Sequence, residues 1–257
     1  MSSFDLLFSE KTTLRSYTDP DGLDTLSQWS QSSTKRWFDV ACILCALPIW
    51  LPVLFFTAVA VRLTSRGPIL FRQERIGRYA RPFTIFKFRT MPVADQNTDR
   101  PRVTTSVNQR FTPVGLFLRR SKLDELPQLL NVLRGEMSLV GPRPKLACHQ
   151  VGRLACRPGI TGQATLVFAR EELALAGIPS AHLESFYEDV ILPLKRALDD
   201  EYMATATVKT DLLLLFNSVF RKGRKSDVTN LLDSLSVRFA NQSESPLQVL
   251  EQTNLIS

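Results

Sequence analysis

Asp124 and Glu125 stand side by side in the run Ser121-Lys-Leu-Asp-Glu-Leu-Pro-Gln128, and this acidic pair is the sharpest chemical feature of the chain. Proline is tolerated in the first helical turn, so Pro127 puts a helix start at or just before Asp124. Both carboxylates would then sit beside unpaired backbone N–H groups and the positive end of the helix dipole, surroundings that also attract phosphate. Two carboxylates repel a phosphorylated ligand unless a cation intervenes. A divalent ion such as Mg2+ resolves that conflict, with one carboxylate holding the metal and the other free to attack phosphorus. Read alone, an Asp-Glu pair at a helix start is ordinary capping, so the pair needs company.

Arginines supply it. Arg119 and Arg120 precede the pair, Arg143 lies between two prolines, and Arg157 precedes Pro158-Gly159. Guanidinium groups on stiff loops suit bidentate phosphate recognition, whereas for any single arginine a solvated or lipid-facing surface is the plainer reading. The net charge of +7, from 32 Lys and Arg against 25 Asp and Glu, suits an anionic partner of some kind. Nucleic acid fits that charge, but no zinc finger, RNP1-like strand or recognition helix accompanies it. The 11 glycines form neither G-x-G-x-x-G nor G-x-x-x-x-G-K-[ST], and 2 histidines leave little room for histidine-based chemistry. Four cysteines make no disulfide framework, and Cys42 and Cys45, inside an apolar run, read as filler in a reducing compartment.

The elements that must position these groups follow from pattern. Residues 1–34 are polar, lack an apolar signal region and read as an extension that is weakly ordered or only locally helical. Lys35-Arg36 then open the one long apolar stretch, Trp37 to Val61, interrupted only by Asp39. Its helical length, about 36 Å, matches a bilayer core of about 30 Å. Yet Pro48 and Pro52 fall near its middle, and basic residues flank both ends rather than one. This combination favours a segment (35–64) that dips in, bends at the prolines and leaves on the same side, over a spanning helix or a buried core helix.

Beyond it, Ile69–Gln73 and Phe83–Met91 read as a hairpin around Gly77, with Lys87 and Arg89 on the face of Phe83 and Ile85. Residues 92–112 read as loop. A helical pattern runs from Val114 through Leu133, followed by a Pro-rich loop at 141–144 and another loop at 157–162. Helices are expected over about 168–176, 182–204 and 207–221. The tail, 224–257, carries no usable motif. The fold class expected is α+β and mostly helical: a small domain, 65–223, with a hairpin, attached to the Pro-broken helix.

With those residues in place, the chain resembles the bacterial sugar transferases, the monotopic polyprenyl-phosphate phosphoglycosyl transferases, over about residues 35–221. The resemblance is carried by Lys35-Arg-Trp-Phe-Asp39, Gly67-Pro-Ile-Leu-Phe-Arg-Gln-Glu-Arg75 and Phe86-Lys-Phe-Arg-Thr-Met91. It continues in Leu123-Asp-Glu-Leu-Pro-Gln-Leu-Leu-Asn-Val-Leu133, Met137-Ser-Leu-Val-Gly-Pro-Arg-Pro144 and Arg157-Pro-Gly-Ile-Thr-Gly162. Any one string is weak, and their order and spacing together are specific.

The resemblance implies transfer of a sugar-1-phosphate from a UDP-sugar to a polyprenyl phosphate such as undecaprenyl phosphate, through a phospho-sugar on Asp124. It makes Glu125 the Mg2+-positioning carboxylate, Arg119 and Arg143 phosphate ligands, and Lys87, Arg89 and Arg157 further substrate-binding positions. It makes Pro52, with Pro48 as an added interruption, the break in a re-entrant helix. The implied location is the bacterial inner membrane, with the catalytic domain on the cytoplasmic face among membrane lipids. Lacking a second apolar stretch, the chain reads as a minimal form of the family.

Departures accompany the likeness. Leu51 stands where many members carry Ser before the helix-breaking proline. Gln163-Ala-Thr-Leu-Val-Phe-Ala-Arg170, followed by Glu171-Glu172, resembles a different branch of the family, one with an Ala-Thr-Leu segment and paired glutamates, and Ile191–Tyr202 also resembles that branch. A non-catalytic membrane scaffold for polysaccharide assembly is the alternative, and the complete acidic pair and arginine loops argue against it.

Overall fold

A computed structural model describes residues 26–92, 111–146, 154–169 and 186–220, together with 171, 175, 183 and 184. The expected loop at 92–112 and helix at 168–176 therefore lie largely outside the described residues, as do most of the terminal segments.

A short helix, α1 (Gln28–Gln31), capped by the Ser27 hydroxyl, leads into α2 (Ser33–Thr64), capped by Ser32. At 32 residues, α2 is the one helix among those described that is long and apolar enough to cross a membrane. It is a single element through both Pro48 and Pro52. Each proline lacks an N–H, which leaves the carbonyls of Leu44 and Pro48 without their intrahelical donors. Nearby, the Trp50 indole N–H donates to the Ile43 carbonyl at 2.9 Å.

One stripe of α2 is buried: Lys35, Asp39, Ile43, Trp50, Thr57 and Val61. Spacings of four and seven place these residues on one helical face. Ile43 and Trp50 join Ile85, Val132 and Met137 in one apolar cluster, and Val61 joins Phe88 and Leu118 in another. Elsewhere α2 exposes large apolar side chains, among them Trp37, Ile49, Leu51, Phe55, Phe56 and Leu63. The helix thus packs along one side and leaves a broad apolar surface on the other.

The polar members of the stripe lock α2 to the domain. Lys35 forms an ion pair with fully buried Asp211, whose carboxylate also accepts from the Trp29 indole at 2.8 Å. The Tyr202 hydroxyl lies 2.7 Å from Asp211 Oδ1. Arg36 donates to the carbonyls of Val132 and Leu133, and the Ser138 hydroxyl donates to Asp39 Oδ2 at 2.7 Å.

The hairpin forms as the pattern predicts, with shifted ends: β1 (Leu70–Ile76) pairs antiparallel with β2 (Pro82–Phe88). Its turn uses left-handed backbone at Tyr79 and Ala80 rather than at Gly77. The chain then runs through α3 (Gly115–Ser121), a 3-10 helix (Leu123–Gln128) and α4 (Leu129–Arg134). Gly135, at φ 84, caps α4 in the left-handed region that favours glycine.

Two short strands were not legible in the pattern. β3 (Ser138–Val140) and β4 (Gly159–Thr161) pair in parallel, so part of what reads as the 157–162 loop is a strand. A helix, α5 (Gln163–Val167), follows where none is expected. A π-helical turn, Tyr187–Ile191, continues into α6 (Leu192–Thr205), within the predicted 182–204 helix. The last described helix is α7 (Val208–Phe220). A third apolar cluster gathers Val140, Leu154, Cys156, Tyr202, Met203 and Leu214 from these later elements. The described fold is mostly helical with two small sheets.

Candidate functional site

The acidic pair lies in the first turn of the 3-10 helix, so a helical start immediately precedes Asp124 as expected, in the tighter of the two geometries. Lys122, at φ 59, makes the corner between α3 and this turn. A left-handed lysine is uncommon, and here it lets α3 end and the 3-10 helix begin within one residue. Asp124 and Glu125 are both buried, as are Pro127 and Gln128.

Two cations converge on Glu125 Oε1. The Lys87 ammonium reaches it from β2 at 2.9 Å, and the Arg143 guanidinium reaches it from the Pro-rich loop at 2.5 Å. Burial by itself would raise the Glu125 carboxyl. Arg143, Lys87 and Lys122 overcome that effect and hold it well below the usual carboxylate range. Asp124 behaves in the opposite way. Burial, reinforced by the adjacent Glu125 carboxylate, pushes it up to about 6 against the pull of Lys87, Arg119 and Arg143. The two neighbours are therefore separated in acidity: Glu125 is a fixed anion, and Asp124 titrates close to neutrality.

Each cation is positioned by a specific piece of fold. Fully buried Asn131, on α4, works as a strand partner for β2: its Oδ1 accepts from Phe86 N at 3.2 Å and its Nδ2 donates to Thr84 O at 2.7 Å. That clamp holds the Lys87 strand against α4, which directly continues the 3-10 helix carrying the dyad. Arg143 depends on close backbone approach. Gly141 N donates to Thr161 O at 2.9 Å and Gly159 N to Pro142 O at 2.8 Å. A Cβ on Gly159 would sit 2.1 Å from Gly141 N, and one on Gly162 would sit 2.2 Å from Gly141 O, so neither position admits a side chain without displacing the loop.

Beside the dyad lies a small, partly open cleft lined by Arg75, Ile85, Lys87, Gln128, Arg143, Pro144 and Gly159. Gln128 is 2% exposed, and its Nε2 has no hydrogen-bond partner among the described residues. A buried amide left unpaired beside three cationic side chains is a donor awaiting an acceptor. The cleft therefore suits an anion with several oxygens.

Sequence reasoning placed Asp124, Glu125, Lys87 and Arg143 in one site, and the structure brings these four together. Arg119 acts on Asp124 at longer range, with its guanidinium 5.9 Å from the Phe111 ring centroid. Two predicted ligands engage backbone carbonyls instead of the acidic pair. The Arg89 guanidinium donates to Ser65 O at 2.8 Å and to its hydroxyl at 2.7 Å, beyond the end of α2. Arg157 Nε donates to Gly135 O at 2.9 Å, at the C-terminal end of α4 where positive charge meets the helix dipole. Lys122, Gln128 and Arg75 were missed as site residues. The run Leu123–Gln128 that announces the dyad contains Gln128 and abuts Lys122, so adjacency was the available signal for those two.

Among the described residues no group of three or more His, Cys, Asp or Glu could hold a metal by itself. Mg2+ commonly binds one or two carboxylates and completes its shell with water and substrate phosphates. The buried pair meets that lesser requirement: Glu125 is ionised, and both cations engage only one of its oxygens.

An ionised carboxylate, a neighbour of tuned acidity and a cation-lined cleft make up the candidate site. The chain belongs to the bacterial sugar transferase family, whose model matches residues 30–224. It is 36% identical over 210 residues to the undecaprenyl-phosphate glucose phosphotransferase of Komagataeibacter xylinus, which covers 77% of this chain and 37% of that protein. It is 37% identical over 196 residues to the UDP-glucose:undecaprenyl-phosphate glucose-1-phosphate transferase of Caulobacter vibrioides, covering 72% of this chain and 68% of the relative. A UDP-N-acetylgalactosamine-undecaprenyl-phosphate N-acetylgalactosaminephosphotransferase of Aeromonas hydrophila is 38% identical over 145 residues, 52% of this chain and 34% of that protein. The chain thus spans well under half the length of several curated relatives it matches.

Proposed function

We propose that the chain transfers a sugar-1-phosphate from a UDP-sugar to a polyprenyl phosphate, releasing UMP and giving a polyprenyl-diphosphate sugar. The observation that carries this reading is the split acidity of the buried dyad, with Lys87 and Arg143 fastened to Glu125 and Asp124 left to react. The names of the relatives accord with it.

In the first step an ionised Asp124 oxygen attacks the sugar-linked phosphorus. A P–O bond to that oxygen forms as the bond to the bridging oxygen breaks, and the electron pair leaves with UMP. In the second, an oxygen of the polyprenyl phosphate attacks the same phosphorus and expels the Asp124 carboxylate. Lys87, Arg143 and Gln128 orient the diphosphate and neutralise its charge, while burial excludes water from the aspartyl phosphate. Mg2+, held by Glu125 with Asp124 alongside, would supply further charge neutralisation on the phosphate oxygens.

The lipid substrate calls for a membrane setting. The apolar surface of α2 supports one, and we read Pro48 and Pro52 as the bend that returns the helix to the cytoplasmic face of the inner membrane. The pathway served is assembly of a polysaccharide or glycoconjugate.

The test is UMP release from UDP-sugars by the full chain in lipid nanodiscs with undecaprenyl phosphate and Mg2+. Mass spectrometry should find a phospho-sugar adduct on the wild type and none on Asp124→Asn. Turnover retained by Asp124→Asn would remove the nucleophile assignment. Binding of partner proteins with no turnover of any UDP-sugar would favour the scaffold alternative.

A further inference from the structure

One cluster beyond the dyad has no part in the steps above. Phe168, 5% exposed, follows α5, and Glu171 comes three residues later. Tyr187 opens the π-helical turn, and Lys195 projects from the first turn of α6. The Lys195 ammonium stands 5.4 Å from the Phe168 ring centroid and 5.1 Å from that of Tyr187. It lies 3.5 Å from the Tyr187 hydroxyl and forms an ion pair with Glu171 Oε2. That pair lacks hydrogen-bond geometry, so Oε2 has no hydrogen-bond donor among the described residues. The cluster adjoins the dyad electrostatically: after Glu125, Glu171 adds to the negative field that raises the Arg143 guanidinium.

The chemistry of this cluster is selective. An aromatic face accepts the C–H face of a pyranose, a carboxylate accepts hydrogen bonds from ring hydroxyls, and an ammonium donates to them. Glu171 would repel an anion, and an apolar ligand would desolvate the Lys195–Glu171 pair without offering either group a hydrogen bond. A neutral, polyhydroxylated ring satisfies all the groups. In a sugar nucleotide that ring is bonded directly to the phosphate that Asp124 attacks, so it must lie next to the site of Arg143. The π-helical turn adds a residue to its coil, a distortion that often marks functional sites.

We propose that Phe168, Glu171, Tyr187 and Lys195 form the subsite for the pyranose of the sugar nucleotide and set which sugar is accepted. This rests on the transferase reading above. The half-buried Glu171 carboxylate accepts from the sugar hydroxyls, Lys195, steadied by the Tyr187 hydroxyl, donates to a neighbouring one, and the rings take the apolar face.

The experiment measures kcat/KM for UMP release from UDP-glucose, UDP-galactose, UDP-N-acetylglucosamine and UDP-N-acetylgalactosamine. It uses the full chain in nanodiscs, as wild type, Glu171→Gln, Lys195→Met and the milder Tyr187→Phe. Inhibition by UMP, which carries no sugar, and thermal melting are recorded alongside. The expected result is a loss of about tenfold or more for the preferred donor, and a compressed ratio between sugars, with UMP inhibition unchanged. An equal loss for every donor, unchanged ratios, or weakened UMP inhibition in step with the loss would overturn the subsite and leave the cluster a structural strut. If Glu171→Gln and Lys195→Met fail to fold, an unchanged donor ratio in Tyr187→Phe has the same force. A wild type that turns over none of the four donors would instead defeat the transferase reading, and the subsite with it.

Discussion

The Lys87 ammonium lies 2.9 Å from Glu125 Oε1, joining the second strand of the hairpin to the turn that carries the acidic pair. With Arg143 on the same oxygen, a buried carboxylate is held ionised by two cations from separate parts of the chain. Lys87→Met removes one of them and leaves Glu125 undercompensated. Stability should fall by about 1–3 kcal/mol, and adduct formation on Asp124 by at least about tenfold. Stopped-time mass spectrometry of the adduct checks this, and a wild-type rate would detach Lys87 from the chemistry.

Asp124 carries a pH signature. Burial and the Glu125 carboxylate push it up to about 6, so the attacking carboxylate becomes scarce below that value. UMP release should show an acid limb no higher than about pH 6, falling about tenfold per unit below it. The stability consequence has a definite sign. Between 3.8 and 6 the folded chain holds a proton that the unfolded chain has lost, so the Asp124 contribution to stability declines as pH rises through that window. Asp124→Asn removes the penalty and should raise metal-free stability at neutral pH, by on the order of 2 kcal/mol. A lower melting temperature for this variant would contradict the assignment.

Gln128 should separate binding from folding. Its buried Nε2 has no partner among the described residues, and leaving such a donor unmet costs about 1–3 kcal/mol. Gln128→Leu is therefore expected to melt no lower than wild type, while its KM for a UDP-sugar rises severalfold. An unchanged KM would show that the amide does not face the substrate.

Asp211 is a structural anchor rather than a member of the site. It collects Lys35, Trp29 and Tyr202, tying α2 to α6 from its own place on α7. Asp211→Ala would leave the buried Lys35 charge without compensation, at a cost of about 3–5 kcal/mol in a denaturant titration. A loss below about 1 kcal/mol would mean that α2 is held mainly by its apolar stripe.

Much of this molecule could be read from local sequence because the governing physics is local. Adjacent carboxylates, a proline shortly after them and an arginine between two prolines constrain their own backbone, so the dyad, the turn beginning at Leu123 and the stiff Arg143 loop were all legible. The hairpin was legible from alternation, and α2 from the length of its apolar run. The pairing of β3 with β4 was not, because three-residue strands carry almost no periodic signal and their partners lie far apart in sequence.

The tertiary structure alone decided which cations serve the dyad. Lys87, Arg89, Arg143 and Arg157 look equivalent as isolated basic residues in the sequence. Asn131 clamping β2 and the glycine contacts around Gly141 direct two of them to Glu125, while Arg89 and Arg157 turn to backbone carbonyls. The difference in acidity between Asp124 and Glu125 likewise belongs to the fold. Burial and the positions of distant charges decide it, and neither quantity is written in two adjacent letters.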